Sequence, residues 1–219
     1  MIVPEIASGA APELDPLRAA CDAVVRRLAV SGARSLVVLG SDSLTMDYNS
    51  PVRVSFSRWG LPETPGEPPS LPLSLSVGAW LLNRAFVPVS AITPRFTTIA
   101  QSAPVEECAA LAARLGSDGP WALLAMGDGS ARRGVGAPGY DDPRALSYDQ
   151  SIERALAAAD LDALRGLDPA LAAELMVAGR APWQVLAAAA AGGTWRATME
   201  YSDAPHGVAY FVASWELAR

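Results

Sequence analysis

The apolar positions of this chain fall into helical stripes separated by short unbroken runs. Leu14, Leu17, Cys21, Val24, Val25 and Leu28 recur at helical spacing, which predicts a helix over 12–30. Asp15-Pro16 suits its start, with Pro in the first turn, and Ser31-Gly32 ends it. Ser35 to Leu39 is a continuous apolar run closing on Gly40, the pattern of a strand buried on both faces of a parallel sheet. Trp121 to Met126 is a second such run, closing on Gly127. Helix, short turn and buried strand in succession predict an α/β protein.

Between these runs the pattern is more varied. Val52 to Phe56 alternates and predicts an outer strand, and Phe96 to Ala100 a further strand. The stretch from Trp59 to Pro72 holds five prolines and two glycines and reads as a loop. Helices are predicted over 74–86 and 105–115, the second with Glu106 and Glu107 where the helix dipole favours negative charge. Residues 131–144 form a long Gly-, Pro- and Arg-rich loop. Helices follow over 148–159, 161–165, 169–177 and 182–191, and then two strands, 194–201 and 208–215, as an antiparallel pair. The expected architecture is one α/β domain over 1–219, with a central mixed sheet flanked by helices on both faces.

Composition narrows the function. Hydrophobic residues make up 51% of the 219-residue chain and charged residues 18%, values of a chain with a packed core. The net charge of -6 argues against nucleic acid, which requires clustered Lys and Arg, and offers nothing to an anionic membrane. No apolar run reaches the roughly 20 residues that span a bilayer. Met1-Ile2-Val3-Pro4-Glu5 lacks the basic region of a signal peptide, so the cytoplasm is the expected compartment. Cys21 and Cys108 are too few for a disulfide framework and read as small buried hydrophobes.

Candidate chemistry lies where the two buried strands end, because open α/β sheets bind ligands beyond the carboxyl ends of their strands. One such loop is Gly40-Ser41-Asp42-Ser43; the other is Gly127-Asp128-Gly129-Ser130, followed by Arg132-Arg133. If the strands are neighbours, Asp42, Ser43, Asp128, Ser130, Arg132 and Arg133 are expected to line one cleft for a small-molecule ligand. The competing reading is that the Asp and Ser residues shape turns and cap helices. His206, in the turn Pro205-His206-Gly207, is a candidate catalytic residue with Asp128. A triad of Ser130, His206 and Asp128 can be written down, but no Gly-x-Ser-x-Gly elbow supports it. No Walker A loop is present, and Gly134-Val135-Gly136 with Gly139 lacks a strand immediately before it. No cofactor and no metal are expected.

Several segments carry a family resemblance: Val3-Pro4-Glu5-Ile6, Leu17 to Cys21, Gly127 to Arg133, Ala178-Gly179-Arg180-Ala181-Pro182-Trp183, and Asp203 to Phe211. The chain resembles an actinobacterial branch of the class III extradiol dioxygenase and MEMO superfamily. That resemblance implies a mixed sheet flanked by helices, commonly in dimers. It also implies an iron(II) held by two histidines and a carboxylate, with a further histidine as acid and base. The sequence departs from this at each point. Ser43 stands where a ligand histidine is expected, Ala131 stands where the acid-base histidine follows Gly-Asp-x-Ser, and the whole chain has one histidine. Glu174 is a candidate carboxylate ligand, and Asp42, Asp128 and Glu174 form the one oxygen-rich set that would suit magnesium or manganese. The sequence therefore reads as a metal-site-deficient small-molecule-binding or regulatory protein. Two alternatives stand beside it: an enzyme, either a residual aromatic ring-opening dioxygenase or a metal-free one using Asp128 or His206, and an interaction protein docking through the Ala-rich helix 182–191.

Overall fold

The structure is a computed structural model that describes residues 2–49, 51–62, 70–85, 92, 94–116 and 119–218. In chain order the elements are α1 (Pro4–Ala7), a 3-10 segment (Ser8–Leu14), α2 (Asp15–Ala29), β1 (Ser35–Asp42), β2 (Met46–Tyr48), a 3-10 turn (Ser57–Trp59), α3 (Leu73–Arg84), β3 (Pro94–Ala100), α4 (Val105–Leu115), β4 (Trp121–Ala125), α5 (Ala145–Ala158), α6 (Leu161–Arg165), α7 (Pro169–Glu174), α8 (Arg180–Ala189), β5 (Trp195–Asp203), a 3-10 turn (Pro205–Gly207) and β6 (Tyr210–Leu217). The expected α/β class is what is found.

A four-stranded sheet runs in the order β2-β3-β1-β4, and β5 and β6 pair in a separate two-stranded sheet. β1 is parallel to β3 on one side and to β4 on the other, while β2 adds antiparallel to β3. The apolar run of β1 explains its central place. Side chains alternate across a strand, so Leu36 and Val38 enter one core and Val37 and Leu39 another. The first core receives α2 and α3 through Leu17, Val24, Leu75 and Leu82. The second receives α4 and α8 through Leu111, Leu115, Ala181 and Val185. A third core joins α5, α6 and α7 to Trp183 and is partly covered by Phe211 and Trp215 of β6.

The two buried arginines find their partners within the protein. The guanidinium of Arg180 is 2% exposed and has no carboxylate partner in the described structure; it donates to the carbonyls of Ala103 and Gln101 and to Oε1 of Gln184. Arg18, also buried, donates to the carbonyl of Ile2 at 2.9 Å and to Asp15 at 2.8 Å, which ties the first residues to α2.

Two predicted elements differ. Residues 52–56 form no strand, and only Arg53 makes an isolated bridge, to Ser70. Phe56 is buried and Val52 half-buried, so the alternation reflects packing against the first core without a ladder. The edge strand is instead Met46–Tyr48, whose three residues are exposed or half-buried and carry no apolar signature. Residues 63–69 of the predicted loop, and Phe86 of the predicted helix 74–86, lie outside the described residues.

Candidate functional site

β1 and β4 are neighbours, as the cleft required, but they part at their carboxyl ends. The last ladder contact is the amide of Met126 donating to the carbonyl of Leu39 at 2.7 Å. Beyond it, β1 stays with β3 as far as Asp42, which is level with Ala100. The chain after β4 turns the other way: the amide of Gly129 donates to the carbonyl of Ala209 at 2.8 Å, and the amide of Ala209 donates to the carbonyl of Ser130 at 2.9 Å.

The turn at Ala178–Gly179, just before α8, fills the split. The Ser41 hydroxyl donates to the carbonyl of Ala178 at 2.8 Å. The Gly179 amide donates to the carbonyl of Asp128 at 2.8 Å. A Cβ on Gly127 would lie 2.3 Å from Cα of Gly179, so the two backbones touch there and no larger residue fits between them. This wedge separates the two sequence-predicted loops.

The predicted residues are therefore not brought into one cleft. Asp42 lies on the β3 side, where its charge helps burial raise the pKa of the Tyr48 phenol. Ser43 is exposed. Ser130 is fully buried: its hydroxyl donates to the carbonyl of Leu175 at 2.8 Å, and its amide donates to Asp149 at 2.9 Å. Arg132 donates to the carbonyls of Gly139 and Glu174 and holds the 131–144 loop against the end of α7. Arg133 pairs with Asp149 at 3.2 Å. These serine and arginine side chains build the loop, which is the turn-shaping reading applied to Ser130.

His206 stands apart as well. It is exposed, sits at a left-handed φ of 57°, and places Nε2 3.3 Å from Oε2 of Glu13. With the Ser130 hydroxyl committed to Leu175 and His206 facing Glu13, no Ser130-His206-Asp128 triad is assembled. Glu174 is exposed and pairs with Arg144 at 2.8 Å, away from Asp128.

Asp128 remains, with neighbours that the sequence did not single out. Water reaches its side chain, yet protein surrounds it closely enough that burial pushes its carboxyl up to about 6. Among the described residues no hydrogen bond or ion pair engages the carboxylate. Its charge acts on Cys21 of α2 and on Tyr210 of β6. Burial above all, then Asp22 and Asp128, push the Cys21 thiol up to about 12, so it stays a protonated, poor nucleophile. Burial likewise raises the Tyr210 phenol, with Asp128 and Tyr201 adding to the rise. Tyr201 is in turn raised by burial, by Asp203 and by Cys21. Arg84, the cation that acts on Cys21, is held by Asp22 at 3.0 and 3.1 Å and lies over the Trp80 ring.

The result is an exposed carboxyl beyond β4, near its neutral-pH transition, whose charge is felt by the neutral Cys21 thiol and Tyr210 phenol. Such a set can bind a small polar ligand and can hold or move one proton at the Asp128 carboxyl. Near the hairpin end of β5 and β6, Tyr201 lies opposite Val212 and Tyr210 opposite Asp203, so the tyrosines are diagonal neighbours, and the signal that would have found them is aromatic residues on the two arms of a predicted hairpin.

The iron centre implied by the resemblance does not fit these residues. The chain has one histidine, and it faces Glu13. Among the described residues no group of three or more His, Cys, Asp or Glu side chains is placed to hold a metal ion. In sequence comparison no family model matches the chain, and no curated protein is similar to it.

Proposed function

We propose that the chain is a small-molecule-binding protein of extradiol dioxygenase-like ancestry that has lost the ring-cleaving metal site and binds its ligand at Asp128. The observation that carries this reading is the Asp128 carboxyl itself, raised to about 6 and unpartnered among the described residues at the end of β4. A carboxyl perturbed in this way is a mark of a working site. The mixed sheet flanked by helices is the architecture that the resemblance implies. A cytoplasmic place belongs to the same proposal and is supported by two unpaired cysteines.

The test is a fragment screen by protein-observed NMR on the wild-type chain and on Asp128→Asn, with catechol and other small aromatic alcohols and amides as probes. Binders are expected to shift Asp128, Cys21 and Tyr210 together, and Asp128→Asn is expected to weaken them at least tenfold. Hits that map elsewhere, or that ignore the substitution, would overturn the reading. Oxygen uptake with catechol and added iron(II) would contradict the loss of ring cleavage.

A second reading rests on the same carboxyl: a metal-free enzyme in which Asp128 is the general acid or base. A carboxyl that titrates at about 6 is matched to proton transfer near neutral pH. Bell-shaped turnover with one limb near 6, lost in Asp128→Asn, would favour it over binding alone.

A further inference from the structure

The carboxyl end of β4 is held by an unbroken series of hydrogen bonds that begins on α3. The Ser74 hydroxyl donates to the carbonyl of Ser41 at 2.9 Å, the Ser41 hydroxyl donates to the carbonyl of Ala178 at 2.8 Å, and the Gly179 amide donates to the carbonyl of Asp128 at 2.8 Å. Ser41 is a polar residue in the middle of this series, 8% exposed, in the buried stretch of β1 that follows the apolar run Leu36–Leu39. A buried hydroxyl in such a strand gains nothing by burial and is tolerated because it is bonded. Its one donated bond goes to the turn that fills the split between β1 and β4.

We propose that Ser41 is a positioning residue for Asp128: its hydroxyl fixes the 178–179 turn, and that turn, through the Gly179 amide, fixes the backbone of Asp128 beyond the end of β4. The inference rests on the reading of Asp128 as the working group of the site. Ser41 touches no ligand in this account; it acts through Gly179. Removing its hydroxyl loosens the turn, lets the 127–130 segment relax toward water, and lessens the burial that Asp128 experiences.

Ser76 provides an internal control. It is also a fully buried serine, and its hydroxyl donates to the carbonyl of Leu71 at 3.0 Å, with no link to the 178–179 turn. A merely structural role for Ser41 would make Ser41→Ala and Ser76→Ala behave alike.

The experiment is an NMR titration of the Asp128 side-chain carboxyl carbon in the wild-type chain, Ser41→Ala, Ser41→Cys and Ser76→Ala. Ser41→Cys keeps the bulk and replaces a strong donor by a weak one, and it carries the test if Ser41→Ala does not fold. In the Ser41 variants the midpoint is expected to fall by about 1 or more, toward the ordinary carboxylate value of about 4. In Ser76→Ala it is expected to stay at the wild-type value. A midpoint that moves equally in Ser41 and Ser76 variants, or in neither, overturns the positioning role and leaves the site reading standing. A wild-type midpoint already near 4 overturns the site reading and this inference with it.

Discussion

Gly127 and Gly179 meet backbone to backbone, with a Cβ on Gly127 only 2.3 Å from Cα of Gly179. The contact explains why two loops that follow neighbouring strands do not converge. The 178–179 turn occupies the place where Asp42 and Asp128 would have approached each other, and each carboxylate is left on its own side of it.

Gly127→Ala drives a methyl into backbone rather than into a flexible side chain. Overpacking of this kind costs typically 1–3 kcal/mol, and a rigid neighbour puts it near the upper end. We expect about 3 kcal/mol of destabilisation by urea denaturation. Gly136→Ala is the comparison. A Cβ there meets nothing within 4 Å, and it should change stability by less than about 0.5 kcal/mol.

The raised carboxyl of Asp128 fixes the direction of a pH effect. Its folded value of about 6 lies above the ordinary 3.8, so the folded protein holds this proton more tightly than the unfolded chain. The contribution to stability is full below about pH 4 and is lost as pH rises through 6. Asp128→Asn removes the dependence. The variant is expected to melt at a higher temperature than wild type at pH 7, and the two melting temperatures should converge at pH 4. Parallel melting curves from pH 4 to 8 check this. A gap that widens on acidification would have the wrong sign.

Tyr148 offers a separate test of the core. It is 9% exposed, and its hydroxyl has no hydrogen-bond partner among the described residues, with burial pushing its pKa up to about 12. An unpaired buried hydroxyl costs about 1–3 kcal/mol. Tyr148→Phe keeps the ring and removes the polar atom, so it is expected to leave stability unchanged or raise it by about 1 kcal/mol. A loss above about 1 kcal/mol in denaturant unfolding would mean that the hydroxyl is bonded after all.

Much of the fold was legible in the sequence because its strands are short and continuously apolar. Ser35 to Leu39 and Trp121 to Met126 announce a buried parallel pair, and the stripe from Leu14 to Leu28 announces the helix that covers one face. Met46–Tyr48 was not legible: a three-residue edge strand of exposed and half-buried residues has no periodicity to display. Val52 to Phe56 shows the converse, an alternating pattern satisfied by packing alone.

The site was legible only in part. A loop with Gly and Asp after a buried strand marked Asp128. Spacing along the chain could not reveal that residues 178–179, some 50 positions away, would wedge β1 from β4. Nor could it reveal that Cys21 and Tyr210, from opposite ends of the sequence, would feel the charge of the carboxylate. Ser130, Arg132 and Arg133 fit a ligand loop and a self-bonded loop equally well as types. Their partners Leu175, Gly139 and Asp149 decide for the second.

The measurement that tests the central claim most directly is the titration of the Asp128 carboxyl in the wild-type chain, assigned by its absence in Asp128→Asn. The account predicts a midpoint of about 6, with Cys21 and Tyr210 resonances shifting through the same transition. A midpoint below 4 would contradict it, because Asp128 would then be an ordinary solvated turn residue.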